Sequence, residues 1–206
     1  AGLGMAAQHS QSLEPLLTGI PGLIVMAPAT PADAKGLLRA AIRSANPVLL
    51  FENKLLYLET GPIPQGEYVT PIGRAAVHRQ GRDVTMVAIG GMVPVALAAA
   101  DVVAGDGIEV EVIDPRTLVP LDAAAIVASV QRTGRLVTVE EAALRHGFGA
   151  EIVARVVEAL PPGALRVSPR RVAGAHIPIP YPRNLERAAL PDKGSIVEAV
   201  RESMGG

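Results

Sequence analysis

The feature that most restricts the fold of this chain is a run of short apolar segments that alternate with amphipathic ones from residue 84 onward. VTMVAIG (84–90), IEVEVID (108–114) and RLVTVEE (135–141) each read as a buried strand, rich in β-branched residues and too short for a helix. Between and after them, MVPVALAAADVVAGDG, LDAAAIVASVQRTG and GAEIVARVVEAL read as helices. Pro94 falls in the first turn of its helix, where a missing N–H costs little. LRVSPRRVAG (165–174) follows as a strand with a bulge or bend, and SIVEAVRES (195–203) as a last helix. Strands joined by helices and short connections imply an α/β fold with a mostly parallel sheet covered on both faces.

The first part of the chain reads differently. GLIVMAP (22–28) and VLLFEN (48–53) are strands on either side of TPADAKGLLRAAIRSANP, a helix with Thr30 as N-cap, Pro31 at its first position and Pro47 closing it. Two strands make a poor domain alone. Residues 1–53 are therefore expected to be the tail of an α/β domain whose first part is absent, whereas the unit after residue 73 reads as complete. LETGPIPQGEYVTPIG (58–73), with three prolines and three glycines, reads as a stiff linker.

Composition narrows the function. Three Tyr, two Phe and no Trp argue against a stacking platform for single-stranded nucleic acid. Nineteen basic against twenty acidic residues leave no broad electrostatic footprint for nucleic acid or anionic lipid. The local basic cluster of Arg166, Arg170 and Arg171 reads as a solvated strand edge. Absence of cysteine rules out disulfides, thiolate nucleophiles and sulfur-held metals. No apolar run approaches the ~18 residues of a membrane span, and no signal-peptide pattern opens the sequence. The expectation is a soluble, cytoplasmic protein.

Four histidines are candidates for chemistry, and none is spaced for a metal site. His78, in AVHRQGRD, reads as a solvated residue of a polar turn. His146 precedes a glycine-flanked helix start, where backbone N–H groups can hold an anion, but Glu151 in the first turn already supplies negative charge. His176 lies in the extended segment GAHIPIPYP and could face an interface. Glu140 and Glu141, at the carboxyl end of a strand, are either a carboxylate pair or ordinary strand-end and interface charges. His9 follows a glycine-rich loop and precedes a helix, with Gln8, Ser10, Gln11 and Ser12 able to orient its ring. It is either a catalytic imidazole or a polar residue at a helix start.

QHSQSLEPLL…FENKLLY (8–57), VIDPRTLVPLDAAAI (112–126), GFGAEI (147–152) and VAGAHIPIPYPRNLE (172–186) together resemble, in order and spacing, the β subunits of the E1 component of thiamine-diphosphate-dependent 2-oxo acid dehydrogenases. The resemblance covers essentially the whole chain. It implies the C-terminal part of a pyrimidine-binding domain over 1–60, a linker over 61–72, and a transketolase C-terminal-type, three-layer αβα domain over 73–206.

In that family His9 matches the active-site histidine, at a cofactor site shared with an α subunit. The resemblance implies that it stabilises the thiamine adduct and assists reductive acyl transfer to a lipoyl group. Ala41, Ile42, Ser44 and Asn46 match a loop that holds a structural potassium ion. Ser44 stands where most relatives carry Asp, so the ion is expected to be weakly held or absent. Asn46 has a simpler reading as a helix C-cap. The glutamate that contacts the aminopyrimidine ring is expected upstream of this chain, and the diphosphate-and-magnesium motif in the α subunit.

Partners implied are an α subunit, a second β subunit and the subunit-binding domain of an E2 acyltransferase, in an α2β2 enzyme that decarboxylates a 2-oxo acid. The fragment alone is expected to be inactive. Pyruvate is the substrate expected first, although branched-chain 2-oxo acids and acetoin are not separated by these residues. Two alternatives remain open: a non-catalytic assembly or E2-docking module, and another thiamine enzyme such as a transketolase or a deoxyxylulose-phosphate synthase.

Overall fold

Thr30 begins the first long helix as the sequence suggests: its hydroxyl oxygen accepts the backbone N–H of Asp33 at 3.0 Å, and Pro31 occupies the first helical position. In the computed structural model, which describes residues 2–205, the chain starts with two single-turn helices, α1 (Ala6–Ser10) and α2 (Glu14–Thr18). Strand β1 (Ile24–Met26), helix α3 (Pro31–Ile42), strand β2 (Val48–Leu50) and a 3₁₀ turn (Lys54–Leu58) follow. Strands β1 and β2 are parallel, with Ile24 opposite Val48.

The second part contains β3 (Ala76–Arg79), β4 (Val84–Ala88), α4 (Met92–Ala104), β5 (Val110–Asp114), β6 (Thr117–Val119) and α5 (Ala123–Thr133). It continues through β7 (Leu136–Ala143), α6 (Phe148–Ala159), β8 (Arg170–Gly174), α7 (Arg183–Ala189) and α8 (Lys193–Ser203). Five strands form one sheet in the order β3-β5-β4-β7-β8, parallel except for the edge strand β3. Every residue of β4 and β5 is buried, as expected for strands covered on both faces.

Alternation along these strands sorts the core into two layers. Met86, Val112, Val137 and Val139 pack with Ala96, Ala100 and Val103 of α4 and Ile196 and Val200 of α8. Val87, Ile113 and Leu136 pack on the other face with Ile126 and Val130 of α5 and Ile152 and Val156 of α6. The expected three-layer α/β arrangement is therefore observed. Thr85 points to the α5 side, where its hydroxyl meets those of Ser129 (2.6 Å) and Thr133 (2.8 Å), so the polar group on the central strand is satisfied. Helix α5 ends at Gly134, whose φ of +69° suits a residue without a Cβ and whose N–H closes the last turn on the Val130 carbonyl.

Three elements depart from the sequence reading. Residues 76–79, read as a polar turn, form the antiparallel edge strand; a bulge at His78 sets Val77 opposite Ile113 but Arg79 opposite Val112. Thr117–Val119 forms a short strand that leaves the five-stranded sheet and pairs antiparallel with β1, in the separate order β2-β1-β6. Val25 of β1 thereby joins the α5–α6 core layer, and the two parts of the chain share one interior. Arg183–Ala189, within the proline-rich stretch, is helical because Pro182 lies just before the helix rather than inside it.

Candidate active site

His9 lies on α1, a five-residue helix with no side-chain cap, and its side chain is solvent-exposed. The loop before it is pinned from far along the chain. Gly2 and Gly4 donate their backbone N–H groups to the two carboxylate oxygens of Glu186 on α7, each at 2.8 Å. Gly4, at φ +68°, also lies so close to α7 that an added Cβ would come within 3.1 Å of Arg183 Cγ. Glu186 is only 1% exposed. Burial alone would raise its carboxyl, but the Gly2 and Gly4 donors outweigh it and hold the group below the usual carboxylate range.

After His9 the chain meets a second carboxylate. Glu141 on β7 accepts the Asn53 side-chain N–H at 2.8 Å and the Ser12 hydroxyl at 3.4 Å. Asn53 also caps the 3₁₀ turn through the Leu55 N–H at 3.0 Å. A cavity of about 120 Å³ opens here, lined by His9, Ser12, Glu14, Phe51, Glu52 and Lys54. Burial raises the Glu14 carboxyl above its ordinary value, and the nearby negative charge of Glu141 adds to the rise. The arrangement sets the exposed His9 imidazole on a cavity that the partly buried Glu14 carboxyl also lines.

Glu140 and Glu141 do not form a pair. Neighbouring strand residues point to opposite faces, and Glu140 turns to α6, where it accepts the N–H groups of Phe148 (2.7 Å) and Gly149 (2.8 Å). This carboxylate, not that of Glu151, serves the helix start. Glu151 instead pairs with Arg155 at 2.7 Å. Burial pushes Glu140 up to about 7 in spite of the two donors.

The other histidines are placed as follows. His78, read from sequence as solvated, is turned by the β-bulge toward fully buried Asp114, with Nε2 and Oδ2 3.5 Å apart. Among the described residues, Asp33, His78 and Asp114 are the one group of three such side chains close enough to share an ion. Arg116 already answers their charge: its Nε lies 3.4 Å from Asp33 Oδ1, and its backbone N–H donates to Asp114 Oδ1 at 2.8 Å. The cluster reads as a latch between α3 and the edge of the larger sheet. His146, at φ +59°, lines with His176 and Arg145 a cavity of about 410 Å³ on the far side of the Ser12 loop. A cavity of about 500 Å³ lies away from His9 between Thr18, Pro120 and Phe148, and its two charged groups, Glu151 and Arg155, are paired with each other.

Ala41 and Ile42 end α3, and Ser44 and Asn46 lie on the turn that follows it. Ala41 O accepts the Ser44 N–H (3.1 Å), Ser44 Oγ accepts the Asn46 N–H (3.1 Å), and Asn46 Nδ2 donates to Gly22 O (3.2 Å). Asn46 is not the C-cap: Arg43 is, and Asn46 ties the following turn to residue 22. Sequence reasoning missed Glu186 and Asn53 altogether. Their partners are distant in the chain, so no local pattern marks them.

The family model for the transketolase C-terminal domain matches residues 73–196, and that for the transketolase pyrimidine-binding domain matches residues 2–59. The chain is 47% identical over 207 residues to the mitochondrial pyruvate dehydrogenase E1 component subunit beta-1 of Arabidopsis thaliana, covering 98% of this chain and 57% of the relative. It is 46% identical over 206 residues to the beta subunit of acetoin:2,6-dichlorophenolindophenol oxidoreductase of Cupriavidus necator, covering 100% and 61%. The chain thus spans little more than half the length of these relatives. Among solved structures, a split-gene transketolase described as an inactive beta4 tetramer superposes with a TM-score of 0.79 at 25% identity, over 97% of this chain and 63% of that one. A transketolase from Pichia stipitis, at 16% identity and a TM-score of 0.69 over 99% of this chain and 29% of that one, shares the fold. The chain therefore belongs to the transketolase family, with a pyrimidine-binding segment leading into a C-terminal domain as in the beta subunits of pyruvate dehydrogenase E1.

Proposed function

We propose that the chain works as part of an E1 beta subunit, which with an α-type subunit decarboxylates a 2-oxo acid and passes the acyl group to a lipoyl-bearing E2. The observation that carries this reading is the placement of His9: an exposed imidazole at a cavity, with the chain anchored on both sides of it. The identity of 43–47% to pyruvate and acetoin E1-type beta subunits supports it. Pyruvate is the substrate proposed first, and acetoin is the second reading because its relatives match equally well. The division into 1–60, 61–72 and 73–206 belongs to the same proposal. The family matches support it, and among the described residues β6 is the strand that pairs across it.

The cavity at His9 is well below the roughly 300–1,000 Å³ of a complete ligand site. These residues fit one wall of a thiamine diphosphate site, with the diphosphate and its magnesium assigned to the α-type partner. When bound, that cofactor supplies the carbanion chemistry of decarboxylation. The chain's own contribution is the exposed His9 imidazole, a group suited to general acid–base work. Glu14, whose carboxyl is raised by burial, lines the same cavity.

A potassium ion at Ala41, Ile42, Ser44 and Asn46 is also part of the proposal. The site lies at the negative end of α3 and offers neutral oxygens, a donor set suited to a weakly held monovalent cation. Its polar atoms also bond to each other, so the turn keeps its shape without the ion. Proposed partners are an α-type subunit, a second copy of this chain and the E2 subunit-binding domain. The proposed compartment is the cytoplasm; relatives from plants carry mitochondrial names, and no helix among the described residues is long and apolar enough to cross a membrane.

Co-assembly of an α-type subunit with a beta subunit that carries this sequence behind a complete pyrimidine-binding domain tests the reading. With thiamine diphosphate, magnesium and an artificial electron acceptor, the complex is expected to turn over pyruvate or acetoin. Stable assembly without turnover of either, or of a branched-chain 2-oxo acid, would assign the chain to the non-catalytic docking class.

A further inference from the structure

We propose that Glu186 and Glu141 are positioning residues for His9, and that holding this imidazole in place is a specific task of the C-terminal domain. The inference rests on the catalytic reading of His9 given above. Helix α1 has five residues and no side-chain cap. Isolated helices shorter than about 12 residues are marginal in water, so the direction of His9 is set by tertiary contacts.

Those contacts are two carboxylates from β7 and α7, both distant in sequence. Before His9, both oxygens of Glu186 are engaged by the Gly2 and Gly4 N–H groups at 2.8 Å. Being ionised and buried, this carboxylate makes charge-assisted bonds with little competition from water. The backbone shape it grips, with φ of +92° at Gly2 and +68° at Gly4, is one that glycine adopts readily. After His9, Glu141 receives Ser12 and Asn53, which ties the exit of α1 to the start of the 3₁₀ turn. His9 is thus suspended between two anchors, five residues from one and three from the other. Neither carboxylate lines the cavity at His9, so each acts through His9.

The experiment has two readouts. Amide hydrogen exchange on the chain itself reports the clamp, and turnover of the complex with an α-type subunit reports its consequence. In E186Q, the side-chain NH2 faces one of the two N–H donors. Exchange of the Gly4–Ser12 amides is expected to quicken tenfold or more while β4 and β7 amides keep their rates. In the complex, kcat is expected to fall at least tenfold with KM within twofold. E186D, which keeps both charge and acceptors, should restore part of each effect. If E186Q folds poorly, E141A applies the same test from the other anchor.

Unchanged exchange over Gly4–Ser12 would overturn the clamp. Faster exchange with kcat intact, where H9A abolishes turnover, would overturn the positioning role. Faster exchange with H9A itself harmless would instead sink the catalytic reading of His9 and leave the clamp standing.

Discussion

Asn53 and Glu141, 88 residues apart, are joined by a 2.8 Å hydrogen bond that links the segment after β2 to strand β7. Gly91 abuts the same Asn53 side chain: a Cβ added there would overlap its amide, with Asn53 Cγ only 2.8 Å away. The backbone at Gly91 is ordinary helical, so alanine meets no strain in φ. G91A is therefore predicted to act by displacing Asn53. The expected cost is about 1–3 kcal/mol, typical of overpacking, read as a lowered midpoint in thermal unfolding. A midpoint at or above that of the unsubstituted chain would show that Asn53 moves freely.

A second glycine tests packing against helix propensity. Gly36 lies inside α3, where alanine would ordinarily gain about 1 kcal/mol. Its missing Cβ position is already occupied by the linker, with Thr70 N and Tyr68 Cε2 both 2.9 Å away. The linker is in turn fixed there by Tyr68, whose hydroxyl donates to Ala32 O at 2.8 Å. G36A is predicted to destabilise by about 1–3 kcal/mol, the steric term outweighing propensity. Urea unfolding gives the sign directly.

The central strand carries a testable polar network. T85V keeps the shape of Thr85 but removes the hydroxyl shared by Ser129 and Thr133, both buried. Thr133 keeps the Arg135 carbonyl at 3.1 Å, so Ser129 bears the main loss. A cost of about 1–3 kcal/mol is expected from leaving a buried hydroxyl poorly satisfied. Denaturant titration of T85V against T85S separates loss of the hydroxyl from change of shape.

Glu140 predicts a pH dependence of stability. Its carboxyl is raised from 4.5 to about 7 in the folded chain, so between these values the folded state holds a proton that the unfolded state has released. Stability from this group is fully present below about pH 4.5 and is lost as pH rises through 7, on the order of 3 kcal/mol in all. E140Q, which cannot titrate, should flatten this part of the profile. The check is unfolding free energy at several pH values between 5 and 8 for both proteins, the difference isolating Glu140 from Glu14 and Asp114.

Much of the fold was legible because its determinants are local. Strands β4, β5 and β7 are short apolar runs, and Thr30 with Pro31 marks the start of α3 within four residues. Strand β6 was not legible. It has three residues, and its register comes from pairing with Val25 and Met26 some 90 residues earlier. Edge strand β3 was hidden by its polar residues and by the bulge at His78. For the site, His9 stood out through its glycine and polar neighbours. Glu186 did not, because a carboxylate that binds backbone from another part of the chain leaves no periodic trace in sequence, and Glu141, legible as a strand-end charge, gave no sign of its partners Ser12 and Asn53.

The most direct test of the account is acyl transfer to a lipoyl-bearing domain by the complex assembled with H9A or H9N in place of the unsubstituted chain. General acid–base groups contribute about 10²- to 10⁴-fold. The account predicts a fall in that range for both variants, with assembly and thermal midpoint unchanged because His9 is exposed. Transfer within about threefold of the unsubstituted complex would contradict it, and the shape around His9 would then serve assembly alone.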